Sequence, residues 1–150
     1  MAVGTPMGLK PGHTSSIRRI EGGMLSYHAD ATIDTNPFEL GLDRLVAVDS
    51  DVEFIGKDAL RRIRDGGVSR KQVGIVIEMD PLVGPNTTFW PVMVGDEQVG
   101  EVTSAVWSPR LEQNIALAMV SVGAAEIGTA LTVETNLGSK AATVVEKPFY

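Results

Sequence analysis

The 150-residue chain contains no cysteine. Disulfides, thiolate nucleophiles and zinc–thiolate sites are therefore excluded, and a reducing compartment is permitted. Histidine is nearly as scarce, with only His13 and His28. No HExxH, Walker, GxSxG or GxGxxG spacing occurs, which removes the usual signatures of metalloprotease, P-loop, esterase and dinucleotide chemistry. No apolar run approaches the ~20 residues that cross a bilayer. The opening MAVGTPMGLKPGHTSS lacks the basic start and unbroken apolar stretch of a secretory signal, so a cytoplasmic location without membrane contact is expected. Positive charge is also in deficit. A net charge of −6 disfavours nucleic acid as a partner, because affinity for a phosphate backbone comes mainly from Lys and Arg, while a small anion stays open.

What is present is ordinary globular material: 43% hydrophobic and 21% charged residues, enough for one compact domain or two small units sharing a core. Residues 1–12 carry glycines and prolines around Thr5 and Lys10 and read as an irregular lead-in, a connection from a longer chain. Thr14, Ser15 and Ser16 offer N-cap hydroxyls for a short helix through Ile17 and Ile20, which Gly22 and Gly23 end by taking left-handed angles. Met24 to Tyr27 then reads as a short extended piece, and Asn36-Pro37 starts a turn. LDRLVAV, residues 42–48, has the apolar content of a strand. GKDALRRIRDGG, residues 56–67, predicts a helix with Ala59, Leu60 and Ile63 on one face, an Asp58–Arg62 pair and a stop at Gly66.

From Arg70 onward the apolar period becomes two. Strands are predicted over 72–79, 89–94, 98–104, 115–122, 130–135 and 141–145, with a hairpin turn at Gly95-Asp96-Glu97 and another over residues 136–139. The fold class expected is α+β: short helices and strands over residues 1–69, then an antiparallel six-stranded β-barrel over residues 70–150.

Chemistry-bearing residues are few. Arg18 and Arg19 before Glu21 offer guanidinium forks suited to a carboxylate, either internal, as an ion pair pinning the short helix to the following strand, or on a ligand. Tyr27 reads either as stacking on a flat ring or as closing an edge of the core. Trp107, in SAVWSP just past a strand, reads either as lining a cleft or as covering an end of the barrel; Trp90, in FWPV, reads as core. His28, Asp30 and Asp34 have the chemistry of a hard-metal site, but a polar loop of this kind reads as solvated residues, so no metal site is expected. Arg61, Arg62, Arg64, Arg70 and Lys71 read as a solvated face. No catalytic residue emerges.

Five stretches in order, RRIEGGMLSY, TNPFELGLDRLV, FIGKDALRRI, GEVTSAVWSPRLEQNIALAMV and the closing KPFY, resemble the C-terminal portion of the glycine cleavage T-protein family. These are tetrahydrofolate-dependent aminomethyltransferases and related demethylases. The resemblance runs from Gly8 to Tyr150, and GGMLSY and NPFELGLD look more like the demethylase branch. Arg19, Ile20, Glu21, Gly22, Gly23 and Tyr27 match the family pattern. The resemblance implies that Arg19 and Tyr27 help line a tetrahydrofolate pocket, with Trp107 at the family's aromatic position in SAVWSP. It implies that the catalytic aspartate and most pterin contacts lie in an N-terminal region with no counterpart here, so Asp43, Asp49 and Asp58 do not take that role. The expected function is the C-terminal part of a folate-dependent aminomethyl- or methyltransferase, whose partners are folate and a one-carbon donor. The alternative is a stand-alone non-catalytic β-barrel interaction module, self-associating through the face that would meet the N-terminal domains.

Overall fold

The computed structural model describes residues 5–8 and 15–150. Lys10, His13 and Thr14, to which the sequence assigned lead-in and capping roles, lie outside the described residues; Thr5–Met7 forms a single 3-10 turn.

Six strands, β1 (Arg70–Ile77), β2 (Trp90–Val94), β3 (Glu97–Ser108), β4 (Gln113–Ser121), β5 (Ala130–Thr135) and β6 (Gly138–Val145), close into a barrel of order β1-β4-β3-β2-β5-β6. Every pairing is antiparallel. Period-two alternation sends Val73, Ile75, Val92, Val102, Ala116, Val133 and Val144 into the barrel, where they pack with Trp90. The small residues Ala105, Ala116, Ala118 and Ala142 let facing walls approach within this narrow interior.

The outer face of β4, β3 and β1 is also covered. Helix α1 (Ser16–Glu21) lays Ile20 against Val106, Ile115 and Leu117, and Phe149 of the C-terminal tail joins this second cluster. β4 is therefore buried on both faces, which explains why IALAMV reads as an unbroken apolar run. Two glycines make these approaches possible. A Cβ at Gly100 would meet the Met119 carbonyl oxygen at 2.1 Å, and one at Gly74 would lie 3.0 Å from the Phe149 ring.

Ser15 caps α1, its hydroxyl accepting from the Arg18 amide at 3.3 Å. The helix ends with Gly23 at φ +64°, whereas Gly22 keeps an ordinary φ of −80°, so a left-handed angle is required at one of the two glycines rather than both.

Between α1 and the barrel the chain is mostly turns. Residues 42–48 are not a strand: Asp43–Leu45 is a 3-10 turn and Leu45 is exposed. The closed barrel leaves no edge for another strand to join. Helix α2 (Lys57–Gly66) forms as its sequence predicts, but Ala59 is exposed and Leu60 and Ile63 are half-buried; its deepest side chain is Lys57. Asp58 pairs with Arg61 rather than Arg62, and the positive φ at the helix end falls on Gly67. The Asn36-Pro37 turn is present, Asn36 Oδ1 accepting from the amides of Phe38 and Glu39. Arg70 and Arg64 are not simply solvated. They pair with Glu39 and Asp49, while the Arg61 Nε donates to the Val48 carbonyl, tying α2 and β1 to the intervening turns.

Candidate functional site

Asp30 is the centre of the contacts that fix α1 on the barrel. Its side chain has no exposure, and its carboxylate accepts four hydrogen bonds: from Arg19 Nη1 at 2.7 Å, the Ser26 amide at 2.8 Å, Thr103 Oγ1 at 2.6 Å and Ser104 Oγ at 2.7 Å. A buried carboxylate is costly unless its lone pairs are filled and a cation stands beside it. Both conditions are met. Thr103 and Ser104 are consecutive, yet both reach the same oxygen because the β3–β4 register slips between Val102 and Ser104. The bulge turns two neighbouring side chains to one side of the sheet.

Arg19 completes this arrangement. Beyond Asp30, its guanidinium donates to the Met24 carbonyl at 3.2 Å and to Ser104 Oγ at 2.8 Å. These contacts among the described residues use three of the five N–H donors that a guanidinium carries. The ion pair open at the sequence level is thus made with Asp30, joining α1 to the following loop and to β3. The side chain keeps 22% exposure, and it lines a cavity of about 240 Å³ with Ala29, Asn86, Thr88, Phe89 and Ser104. Asn86 holds the far wall in place: its Oδ1 accepts from the Ala105 amide at 2.6 Å and its Nδ2 donates to the Thr88 carbonyl at 2.9 Å. The cavity thus presents a fixed positive charge, hydroxyls, an amide and the half-exposed Phe89 ring. Asp30, the carboxylate nearest Arg19, is fully bonded and faces inward, so this wall is suited to binding rather than proton transfer.

Tyr27 and Trp107 are placed elsewhere. Tyr27 is 61% exposed, its ring 4.4 Å from that of His28, and it does not close an edge of the core. Trp107 lies inside β3, not beyond it, and is half-buried. It stands two residues after Ala105, on the face opposite Val106 and the α1 cluster. Trp90 is buried in the core as read.

The residues around the site that sequence reasoning missed are polar ones. Asp30 reads from the sequence as one of the solvated loop residues around His28, yet it is fully buried. Glu21, also buried, accepts from Ser108 Oγ, while its backbone carbonyl accepts from the Phe149 amide at 2.9 Å. Lys147 lies under Gly23 and donates to Gln72 Oε1; burial lowers its pKa to about 8, against the opposing pull of the Asp30 charge. Nothing in local composition separates these side chains from exposed ones, because their partners are far away in sequence.

A closed antiparallel barrel, roofed by a short helix whose arginine opens onto a polar cavity, defines a small β-barrel domain. Residues 70–150 match the family model described as the glycine cleavage T-protein C-terminal barrel domain, and the chain belongs to that family. It is 42% identical over 132 residues to an aminomethyltransferase of Synechococcus sp. (strain CC9902), covering 88% of this chain and 35% of that protein. It is 44% identical over 132 residues to an aminomethyltransferase of Symbiobacterium thermophilum, covering 88% and 34%. Among solved structures, glycine cleavage system aminomethyltransferase T from Bartonella henselae superposes with a TM-score of 0.79 at 25% identity, covering 88% of this chain and 37% of that one. The chain therefore spans little more than a third of the length of these relatives.

Proposed function

We propose that this chain is the C-terminal part of a tetrahydrofolate-dependent aminomethyl- or methyltransferase and supplies one wall of its folate site. In this reading residues 1–69 are the remainder of a middle domain, residues 70–150 are the barrel domain, and the protein acts in the cytoplasm. The observation that supports it is the placement of Arg19, a partly exposed guanidinium locked by Asp30 beside an open cavity. The residues fit a folate as one side of a pocket. Phe89 offers an apolar surface, and Arg19, Asn86, Thr88 and Ser104 offer polar groups. The cavity, about 240 Å³, is below the ~300–1,000 Å³ typical of complete ligand sites, which suits a single wall of the pocket in this reading. When bound, folate supplies the nitrogen that accepts the one-carbon unit. This chain's residues bind and orient, and they exclude water from one side.

The isolated chain is expected to show no transferase turnover with folate and a one-carbon donor, and to bind folate weakly. Adding the N-terminal portion of a full-length relative should restore both. Arg19→Lys keeps the charge but loses the fork, and about a tenfold loss of folate affinity in the reconstituted protein is expected. Unchanged affinity in Arg19→Lys, or ready catalysis by the isolated chain, contradicts the reading.

A stand-alone interaction module is favoured by a different observation: the barrel closes on its own core while Ile33, Leu45, Val52 and Ile55 stand exposed in the turn-rich segment before it. Light scattering separates the two readings. A discrete dimer supports the module, and association with the added N-terminal portion supports the transferase part.

A further inference from the structure

Gln72 stands on the outer side of β1, beside Met119 of β4, and is 4% exposed. Its backbone amide donates to the Glu39 carbonyl at 2.7 Å, and its side-chain Oε1 accepts from Lys147 Nζ. Its Nε2 has no acceptor. Among the described residues this is the one buried side-chain nitrogen or oxygen left without a hydrogen-bond partner, a costly condition for a donor. Asn114, buried as deeply, shows the usual outcome: its Oδ1 accepts from the Leu82 amide and its Nδ2 donates to the carbonyls of Met79 and Asp80.

The lysine beside it is equally unusual. Lys147 is half-buried, and its stem runs along Gly23, where a Cβ would touch it at 3.7 Å, so the amine is held on Gln72. Burial pushes its pKa down to about 8, with Asp30 pulling the other way. Near pH 8 about half of it is free amine, whereas an ordinary lysine is so in fewer than about one molecule in a hundred. A free amine is a nucleophile. Of the anions on the elements around it, Asp30 is paired with Arg19, Glu39 with Arg70, and Glu21 accepts from Ser108, while Glu101 and Glu146 are exposed and screened by solvent.

One group joined to the amine would satisfy both residues. In a carbamate the remaining N–H donates to Gln72 Oε1 and the carboxylate oxygen on the same side accepts from Nε2, giving two parallel bonds to one side-chain amide. We propose that Lys147 is a site of reversible carbamate formation with carbon dioxide, held by the Gln72 side chain. The Nζ lone pair forms a bond to the carbon, one C=O electron pair moves onto oxygen, and the displaced N–H proton goes to water. Nothing is oxidised or reduced. Carbon dioxide is small enough for an amine with this little access. The proposal goes beyond the folate reading and does not depend on it.

The experiment is NMR of the whole 150-residue chain with carbon-labelled bicarbonate near pH 8, where the free amine is present. A carbamate carbon signal coupled to the Lys147 Cε protons and saturating with dissolved carbon dioxide is expected. The chain's α-amino group, with an ordinary pKa of about 8, gives a separate signal and serves as the internal reference. Lys147→Arg should remove the lysine signal and the exposed Lys71→Arg should leave it. Gln72→Met, which keeps the length of the side chain but has no amide, should lower carbamate affinity about fivefold per free amine, with the reference unchanged. Trapping the wild-type carbamate with a trialkyloxonium salt and mapping peptides by mass locates it without any variant. Carbamate on the α-amino group alone, or equal carbamate per free amine at Lys147 in Gln72→Met and wild type, overturns the proposal. Since folate is not in the tube, failure here leaves the folate reading untouched, and success does not support it.

Discussion

Thr103 and Ser104 are adjacent in sequence, yet both donate to the same carboxylate oxygen of Asp30, at 2.6 and 2.7 Å. In a regular strand one of the two would face the barrel interior. The bulge at this point of β3 lets the sheet hold a buried anion 73 residues away in sequence, and through it Arg19. Removing the anion should therefore cost more than removing one of its donors. Asp30→Asn leaves a partly buried guanidinium without its counter-charge and is expected to destabilise by about 3 kcal/mol. Thr103→Val removes one hydroxyl and is expected to cost about 1 kcal/mol. Urea midpoints at unchanged m-value check the ranking; equal losses would mean that Asp30 serves only as another hydrogen-bond acceptor.

The C-terminal tail depends on a missing side chain. At Gly74 a Cβ would come within 3.0 Å of the Phe149 ring, a contact that a shift of the tail relieves. At Gly100 a Cβ would meet the backbone of β4 at 2.1 Å, which relaxation cannot absorb without breaking the β3–β4 ladder. Gly74→Ala is expected to cost about 1–3 kcal/mol and to raise hydrogen exchange in α1, with the barrel amides still protected. Gly100→Ala should instead prevent the barrel from folding. A folded Gly100→Ala protein with wild-type exchange in β3 would show that this close approach is not required.

The barrel was legible from the sequence because its strands carry period-two apolar alternation and are separated by turn residues, as at Asn136 and Gly138. These are local signals. Residues 42–48 misled for the complementary reason: apolar content permits a strand, but a strand also needs a neighbour, and the closed sheet offers none. The Arg19 contacts were half legible. The guanidinium pair announced a carboxylate partner, but composition could not choose between Glu21, two residues away, and Asp30, whose partner hydroxyls lie at residues 103 and 104. The bulge that brings those hydroxyls together leaves no mark in TSAV.

Lys57 is the deepest residue of α2, with 2% of its side chain exposed. Its ammonium donates to the carbonyls of Ser50 and Val52 at 2.6 and 2.9 Å and to Glu53, so one cation satisfies a turn with no sheet to join. Lys57→Met keeps the apolar stem but leaves two carbonyls without this donor, and a loss of about 2 kcal/mol is expected, confined to the region from Val48 to α2. Hydrogen exchange should show α2 opening while β1 to β6 hold. A cooperative loss of the barrel would show instead that α2 and the barrel unfold as one unit.

Lys147 gives the fold a pH dependence whose sign can be worked out. Burial lowers its pKa from 10.5 to about 8, while Asp30 pulls the other way. Between these two values the unfolded chain carries the proton and the folded chain does not, so the unfolded state binds more protons and stability rises with pH. The burden of the buried ammonium is fully present below about 8, and it is relieved as pH climbs toward 10.5. Other lysines and the tyrosines titrate in the same range, so the informative quantity is a difference. Lys147→Met should be more stable than the wild type on the acid side of this window, after allowance for the lost bond to Gln72 Oε1, and the gap should narrow as pH rises. Urea unfolding of both proteins across the window measures it. A gap that is constant with pH would mean that the ammonium is as well solvated in the folded protein as in the unfolded one, and that the tail over Gln72 is looser than its contacts indicate.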